Sequence, residues 1–457
     1  MDNYYCISFD RSCNFKNKIM YLVYGIQKSG LSIVNYFENK KIKFKMWDDN
    51  PTVRKAIKKN YNKDYFFNIK KDNLNDFKKI FVSPGISLKQ KKFQKKNISK
   101  KINRDLNLYI SNLTNQKIVA ITGTNGKSTT TKLIGDMLKK SKIETFVGGN
   151  IGESLCNAFL LKKKYKVHVI ELSSFQLETV KSLDSRISVI TNLSGDHLDR
   201  YKGISDYVSQ KKNIITKNGI NLLSIDDIYS RKIFNQKKIK NKISFSLVDK
   251  SADCFANNDY ILDNYFKKNK KLFIKKISKD LEGNFNIQNI LIAYICSKIL
   301  KIPESNFLKV IKIFKGLPFR SSTIFTNNKL KIVNNSKSTN LNSTINSVVN
   351  YNNIYLILGG IAKEKNFEIL LKYKNKISCI YTYGKSGNFI EKKLKKELVV
   401  KKLANLKSVI KETFKDIKKN SNQSTILFAP ACASYDQYKN FEERGIHFNK
   451  LIKNYIN

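Results

Sequence analysis

The chain has 457 residues, 41% hydrophobic and 11% aromatic, which is enough apolar material for two or three cores and too much for a globally disordered protein. Its 86 Lys and Arg against 36 Asp and Glu give a formal net charge of +50, a balance that by itself suggests a phosphate-backbone binder. The lysines, however, are spread along the whole chain with an excess of Asn, Ile, Tyr and Phe, residue types that share A- and T-rich codons, so a solvated basic surface with no nucleic-acid partner is expected. Seven cysteines, Cys6, Cys13, Cys156, Cys254, Cys296, Cys379 and Cys432, form no Cys-x-x-Cys pair, which points to a reduced, cytoplasmic protein. Residues 1–18 lack an apolar signal core, and no apolar run reaches the roughly 18 residues that a membrane span needs.

In chain order, residues 19–24 form an apolar run that enters Gly25-Ile-Gln-Lys-Ser-Gly30, predicting a strand, a glycine turn and a helix from Leu31; a second strand over 44–47 ends at Asp48. Lys/Asn-rich stretches at 89–101 and 231–242 read as surface loops or helices. A second unit opens with a strand over 117–121, has sheet partners at 166–170 and 187–190, and has a core helix over 288–300. The third follows Gly316-Leu317-Pro318, with strands over 330–333, 354–358 and 424–428. Repeated strand, glycine turn and helix predict an α/β fold in three domains. These are a Rossmann-like N-terminal domain over 1–111, a central P-loop ATPase-type domain with a mostly parallel sheet over 112–316, and a Rossmann-like C-terminal domain over 317–457.

Directly after the 117–121 strand comes Thr122-Gly123-Thr124-Asn125-Gly126-Lys127-Ser128-Thr129, followed by a helical pattern through Lys140. Glycines let backbone N–H groups turn inward around phosphate oxygens, and the helix start adds its positive dipole end. Lys127 can neutralise terminal phosphates and the Ser128 hydroxyl can ligate magnesium. Because Ile121 stands where the first glycine of the general phosphate-loop pattern would be, this is a shorter variant.

This loop resembles that of the Mur ligases and of the folylpolyglutamate synthases, which activate a carboxylate with ATP and then form an amide. The segments Glu171-Leu-Ser-Ser-Phe-Gln-Leu-Glu178 and Pro430-Ala-Cys-Ala-Ser-Tyr-Asp-Gln-Tyr-Lys-Asn-Phe-Glu-Glu-Arg-Gly445 favour the Mur ligases, and among them those that add D-glutamate. The resemblance runs from about residue 19 to the end of the chain. It implies a monomeric enzyme of peptidoglycan and cell-wall synthesis, serving cell shape and division. D-glutamate would be joined to UDP-N-acetylmuramoyl-L-alanine through an acyl phosphate, with the C-terminal domain closing over the ATP domain.

The resemblance also assigns positions. Ser29, Asp48, Ser83 and Gly85 match residues that hold the uridine and diphosphate. Ser128 and Glu171 would serve one magnesium ion, His197 and a carbamylated Lys211 a second, and Asn150 would lie near the reacting substrate. An ammonium would repel a metal, whereas a carbamate offers the hard oxygens that magnesium prefers. Lys212 is the neighbouring candidate, but the spacing from Tyr207 in the family pattern selects Lys211. Asn286, Arg320 and Asn335 match positions beside ATP, Lys337 and Thr339 substrate-binding positions, and Lys363, Ser434, Tyr435 and Phe441 the glutamate pocket. Four positions depart from the pattern: Phe285 and Phe319 replace histidines, Asn335 an aspartate and Ser322 a glutamate. Folylpolyglutamate synthesis, nucleic-acid binding and a decayed nucleotide-binding scaffold are the competing readings.

Overall fold

The computed structural model describes residues 21–67, 73–160, 163–180, 183–196, 200–274, 276–418 and 423–456. Three sheets carry the fold, one in each expected unit. In the first, Phe44–Trp47, Tyr21–Tyr24, Lys79–Val82 and Ile102–Asn103 lie side by side, all parallel. The following helix spans Lys28–Asn39, so it starts three residues before the expected Leu31 and takes the Ser29-Gly30 turn into its first coil. The lysine-rich stretch at 89–101 contains two helices of one turn each, Lys91–Gln94 and Lys96–Ser99, pinned by the buried Phe93 and Ile98.

The second sheet has nine strands among the described residues. Thr145–Gly149, Val167–Glu171, Lys117–Thr122, Ile187–Ile190, Ile220–Ser224, Lys242–Ser246 and Cys254–Ala256 are parallel, and Tyr260–Asp263 and Lys270–Phe273 extend the edge antiparallel. Strands buried on both faces read as nearly continuous apolar runs, which is why 117–121 and 187–190 were visible in the sequence. The Asn284–Ile299 helix, four residues longer at its start than the apolar run alone suggests, shares a core with the Lys127–Lys140 helix. Its run Ile290–Cys296 is fully buried, as a helix that is apolar on all sides must be.

The third sheet orders Ser322–Thr326, Leu330–Asn334, Ser424–Phe428, Ile354–Gly359, Ile377–Tyr383 and Val400–Lys402, parallel except for the first pair. The Asp105–Ser111 helix links the first two units. It buries Leu106 and Tyr109 against Ile118, Ala120 and Leu177, and so packs with the second unit's core. Among the described residues no helix is long and apolar enough to cross a membrane.

Candidate active site

Strand Lys117–Thr122 lies inside the nine-stranded sheet. The chain builds 145–149 and 167–171 on one side of it and everything from 187 onward on the other. Its carboxyl end is therefore a topological switch point, where open parallel sheets form their ligand crevice. The phosphate-type loop leaves from that end. Gly126, at φ 84°, caps the Lys127–Lys140 helix in the left-handed region, and a side chain there would run into Asn289. Gly123, at φ 143°, is likewise hemmed in by Thr191.

The loop is held from behind. Thr124 N donates to Asn192 O at 2.8 Å, Asn125 N donates to Asn192 Oδ1 at 2.9 Å, and Thr191 Oγ1 donates to Asn125 O at 2.6 Å. On the helix side, Thr130 Oγ1 donates to Asn289 Oδ1 at 3.0 Å, and Asn289 Nδ2 donates to Asn286 Oδ1 at 3.0 Å. Asn286 thus sits behind the loop as well as beside the cleft. Lys127 folds over its own loop, donating to Gly123 O at 2.9 Å and Thr124 O at 2.7 Å. Burial lowers its pKa, while Glu171 and Asp196 oppose that shift.

Glu171 ends the Val167–Glu171 strand and is 1% exposed. Its Oε1 accepts from Asn150 Nδ2 at 2.7 Å, whereas Oε2 is buried with no donor among the described residues. A buried carboxylate oxygen left unpaired is costly, and this one faces a crevice that Ser128 also lines. Lys211, on the Ile204–Lys212 helix, is 2% exposed. Its Nζ donates to Gly123 O at 2.7 Å and to Thr122 Oγ1 at 3.3 Å and lies 4.9 Å from the Tyr207 ring. Burial and then the charge of Lys127 push its pKa far down, only partly opposed by Asp196 and Glu171. Its neutral amine, the form that reacts with carbon dioxide, is therefore favoured. His197 lies outside the described residues, and among those described no group of three or more His, Cys, Asp or Glu could hold a metal ion. A metal here would rest on a mixed set of hydroxyl, carboxylate and modified lysine.

The third unit closes the crevice with more positive charge. Arg320 sits between Phe319 and Ser321, both left-handed at φ 62° and 54°, conformations that non-glycine residues hold only when the surroundings force them. Phe319 O accepts from Lys337 N at 3.0 Å. Arg320 and Lys337 converge on the Phe441 ring, 5.9 and 4.5 Å from its centre. Burial, then Arg320 and Lys127, lower the Lys337 pKa to about 8. Lys363 crosses to the central unit and pairs with Asp196 at 3.5 Å. Asn335 is buried and donates to Ser347 Oγ at 2.7 Å.

The resulting cleft measures about 700 Å³. It gathers residues 124–129 with Asn150, Glu171, Lys211, Asn286, Arg320, Asn335, Lys337, Thr339 and Tyr435. Ser434 is buried under it, its carbonyl accepting from Gln437 N and Tyr438 N at 3.2 and 2.9 Å, while Tyr435 is 72% exposed. Ser29, Asp48, Ser83 and Gly85 are not in this cleft. They gather instead at the carboxyl ends of the first sheet. Asp48 Oδ2 accepts from Ile26 N at 3.0 Å and Oδ1 from Asn50 N at 2.9 Å. Ser83 Oγ donates to Gly25 O at 2.6 Å, and Gly85 faces open space.

Profiles of two domains match the chain: the N-terminal domain of the MurD-like Mur ligases over residues 19–103 and the Mur ligase middle domain over 121–297. Proteins named UDP-N-acetylmuramoylalanine--D-glutamate ligase are among its relatives. The one from Rickettsia prowazekii is 33% identical over 437 residues, covering 94% of this chain and 97% of its own. That of Buchnera aphidicola subsp. Schizaphis graminum is 37% identical over 453 residues, with 94% and 97% covered. The chain belongs to the Mur ligase family.

Among solved structures, the fold of this Mur ligase is similar to UDP-N-acetylmuramate-alanine ligase of Thermotoga maritima, with a TM-score of 0.60 at 16% identity over 95% of this chain and 99% of that one. It is also similar to a pseudomurein peptide ligase type C of Methanothermus fervidus, with a TM-score of 0.58 at 17% identity over 96% and 100%. Four residues of the Mur ligase site carry no local sequence signal of their role: Asn192, Asp196, Gln288 and Asn289. Each acts across a gap of many residues, as when Asn192 Nδ2 donates to Gln288 Oε1 at 2.9 Å, and such a pairing becomes visible only in the fold. Two departures from the family pattern have structural partners: Ser322 Oγ donates to Leu317 O at 3.3 Å, and Phe319 packs against Gly445. The side chain of Phe285 lies outside the described residues.

Proposed function

We propose that this Mur ligase joins D-glutamate to UDP-N-acetylmuramoyl-L-alanine at the expense of ATP, in the cytoplasm, as a step of peptidoglycan precursor synthesis. The observation that carries the reading is the convergence of Lys127, Lys211, Arg320 and Lys337 on one cleft beside Glu171 and Asp196, with Lys363 reaching Asp196 from the third unit. That cluster of positive charge around the phosphate-type loop suits a polyphosphate and a transferring phosphoryl group. Relatives of that name, aligned over nearly the whole chain, support the choice of substrates.

A free carboxylate is a poor electrophile. In the proposed sequence the alanyl carboxylate attacks the γ-phosphorus of ATP, ADP leaves, and an acyl phosphate forms. The amine of D-glutamate then attacks the acyl carbon and phosphate departs, leaving the amide. Lys127 and Arg320 hold the charge on the phosphoryl oxygens, and the amides at the start of the Lys127–Lys140 helix, on a loop braced from behind, orient them. Ser128, Glu171 and carbamylated Lys211, with His197, would hold two magnesium ions, which would neutralise phosphate charge there. Lys363 and Ser434 would receive the glutamate side-chain carboxylate, a charge-assisted contact that a neutral amino acid cannot make. The ATP unit is taken as 112–316, between a nucleotide-sugar unit over 1–111 and a glutamate unit over 317–457, acting as a monomer. Phosphate release should require UDP-N-acetylmuramoyl-L-alanine and D-glutamate together and fall to background with L-glutamate. Equal release with L-glutamate, or release with a folate in place of the nucleotide sugar, would refute the reading.

A further inference from the structure

The segment 82–86 closes the first sheet's binding end, and its backbone is oriented in an uneven way. All five of its carbonyls accept from arginines. Arg104 Nη1 donates to Val82 O at 3.1 Å, Ser83 O at 2.7 Å and Ile86 O at 3.1 Å. Arg200 Nη1 donates to Gly85 O at 3.0 Å, and its Nη2 to Pro84 O and Ile86 O, each at 3.3 Å. With every carbonyl dipole drawn toward one of these two guanidiniums, the negative ends of these peptides are turned away from the open side. On that side Ser83 N and Ile86 N are already bonded to Tyr24 O and Ser83 O, and Pro84 has no N–H. The Gly85 N–H is therefore the amide of this turn with no partner among the described residues, and nothing lies within 4 Å of where a side chain at Gly85 would begin.

The two guanidiniums are themselves fixed. Arg104 is fully buried and paired with Glu178, whose other oxygen accepts from Tyr201 OH at 3.2 Å. Arg200 lies 4.0 Å above the Phe175 ring, which stacks on Tyr201. Phe175 and Glu178 belong to the segment that begins at Glu171, and Arg200 follows directly on the loop after the Ile187–Ile190 strand. The turn is thus held by the same stretches of chain that carry the central cleft.

We propose that Arg200, backed by Arg104, is a positioning residue for the diphosphate of the nucleotide-sugar substrate: it holds the 82–86 turn with its carbonyls inward and its glycine amide outward, and it does so from the ATP-binding unit. Arg200 does not touch the substrate. The inference rests on the reading of the 83–85 turn as part of the nucleotide-sugar site. A planar fork reaching three carbonyls cannot be replaced by the single ammonium of lysine, so charge alone does not suffice.

The test is calorimetric titration of the whole protein with UDP-N-acetylmuramoyl-L-alanine and, separately, with ATP and magnesium, for wild type, Arg200→Ala and Arg200→Lys, with the melting temperature recorded for each. Arg200→Ala should weaken nucleotide-sugar binding at least about tenfold, since small displacements of a positioning group are costly. Arg200→Lys should recover only part of that loss. ATP affinity should stay within about twofold, as expected for a separate site. Unchanged nucleotide-sugar affinity in Arg200→Ala would overturn the proposal, and so would an equal loss for both ligands, which would indicate a general loosening of the interface. If wild type itself binds ATP but not the nucleotide sugar, the underlying assignment of the turn fails instead, and the proposal with it.

Discussion

The first and second units both offer a ligand at the carboxyl ends of parallel strands, yet they prepare their ends in opposite ways. In the first, the polar side chains are spent on the backbone: Asp48 accepts from two amides and Ser83 donates to Gly25 O. In the second, charged groups are left short of partners. Lys127 and the buried Lys211 fold against carbonyls, and Glu171 keeps one oxygen unbonded. Spending polar groups on the backbone fixes a shape and adds stability; withholding them stores electrostatic potential at a cost in stability. The first arrangement suits holding a substrate, and the second suits meeting charge that develops during reaction.

That contrast is sharpest in the substitutions expected to remove activity without harming the fold. Lys127→Ala should lower kcat by about 1,000-fold or more and leave the melting temperature equal or higher, because a desolvated ammonium is lost. Near-normal ADP formation by this variant would break the contrast at its strongest point. Lys211→Ala should be nearly inactive and partly recovered by acetate or formate, which can supply an oxygen where a carbamate on Lys211 would stand. Lys211→Arg, whose fixed cation fills the space, should not be recovered. Full activity in Lys211→Ala, or an unmodified lysine in an active crystal, would remove the carbamate from the account.

A smaller, selective effect is expected at the third unit. Lys363→Ala should raise the glutamate KM by about tenfold or more while leaving that of ATP nearly unchanged, the loss expected for one charge-assisted contact. An unchanged glutamate KM would exclude Lys363 from that pocket. Lys337 gives a pH signature. Its pKa falls from the ordinary lysine value to about 8, so between the two the unfolded chain holds a proton that the folded one has released. Its contribution to stability therefore rises with pH across that window. Below about 8 the folded side chain is charged, so affinity for the anionic substrates should decline as pH climbs past that value. Lys337→Arg, which does not titrate there, should flatten the decline, and an unaltered pH profile would remove Lys337 as its source. Smallest in activity and largest in stability should be Asp48→Ala. It strands the buried Ile26 amide, at about 1–3 kcal/mol, and releases the more exposed Asn50 amide to water, while kcat changes little. A fully stable Asp48→Ala with lost turnover would reverse the comparison.

How legible these two regions were in the sequence differs for the same physical reason. The phosphate-type loop announces itself because backbone geometry demands glycine at 123 and 126 and a helix directly after, all within eight residues. Strand cores at 117–121, 187–190 and 354–358 were legible because strands buried on both faces are apolar throughout. The helix starts at Lys28 and Asn284 were not, since neither is opened by a capping side chain and each begins with polar residues ahead of its apolar run. Burial of Lys211 was equally hidden: among so many lysines, only the packing of the Ile204–Lys212 helix against the loop distinguishes one that is 2% exposed. Arg104, Arg200 and Asp196 act across unit boundaries, and a pairing between distant segments has no local spacing to betray it.

If this cleft activates a carboxylate by phosphorylating it, an oxygen of that carboxylate must leave with the phosphate. UDP-N-acetylmuramoyl-L-alanine carrying heavy oxygen in its alanyl carboxylate should, with ATP and D-glutamate, yield phosphate containing one labelled oxygen for each amide formed. Amide formation with unlabelled phosphate would exclude an acyl phosphate.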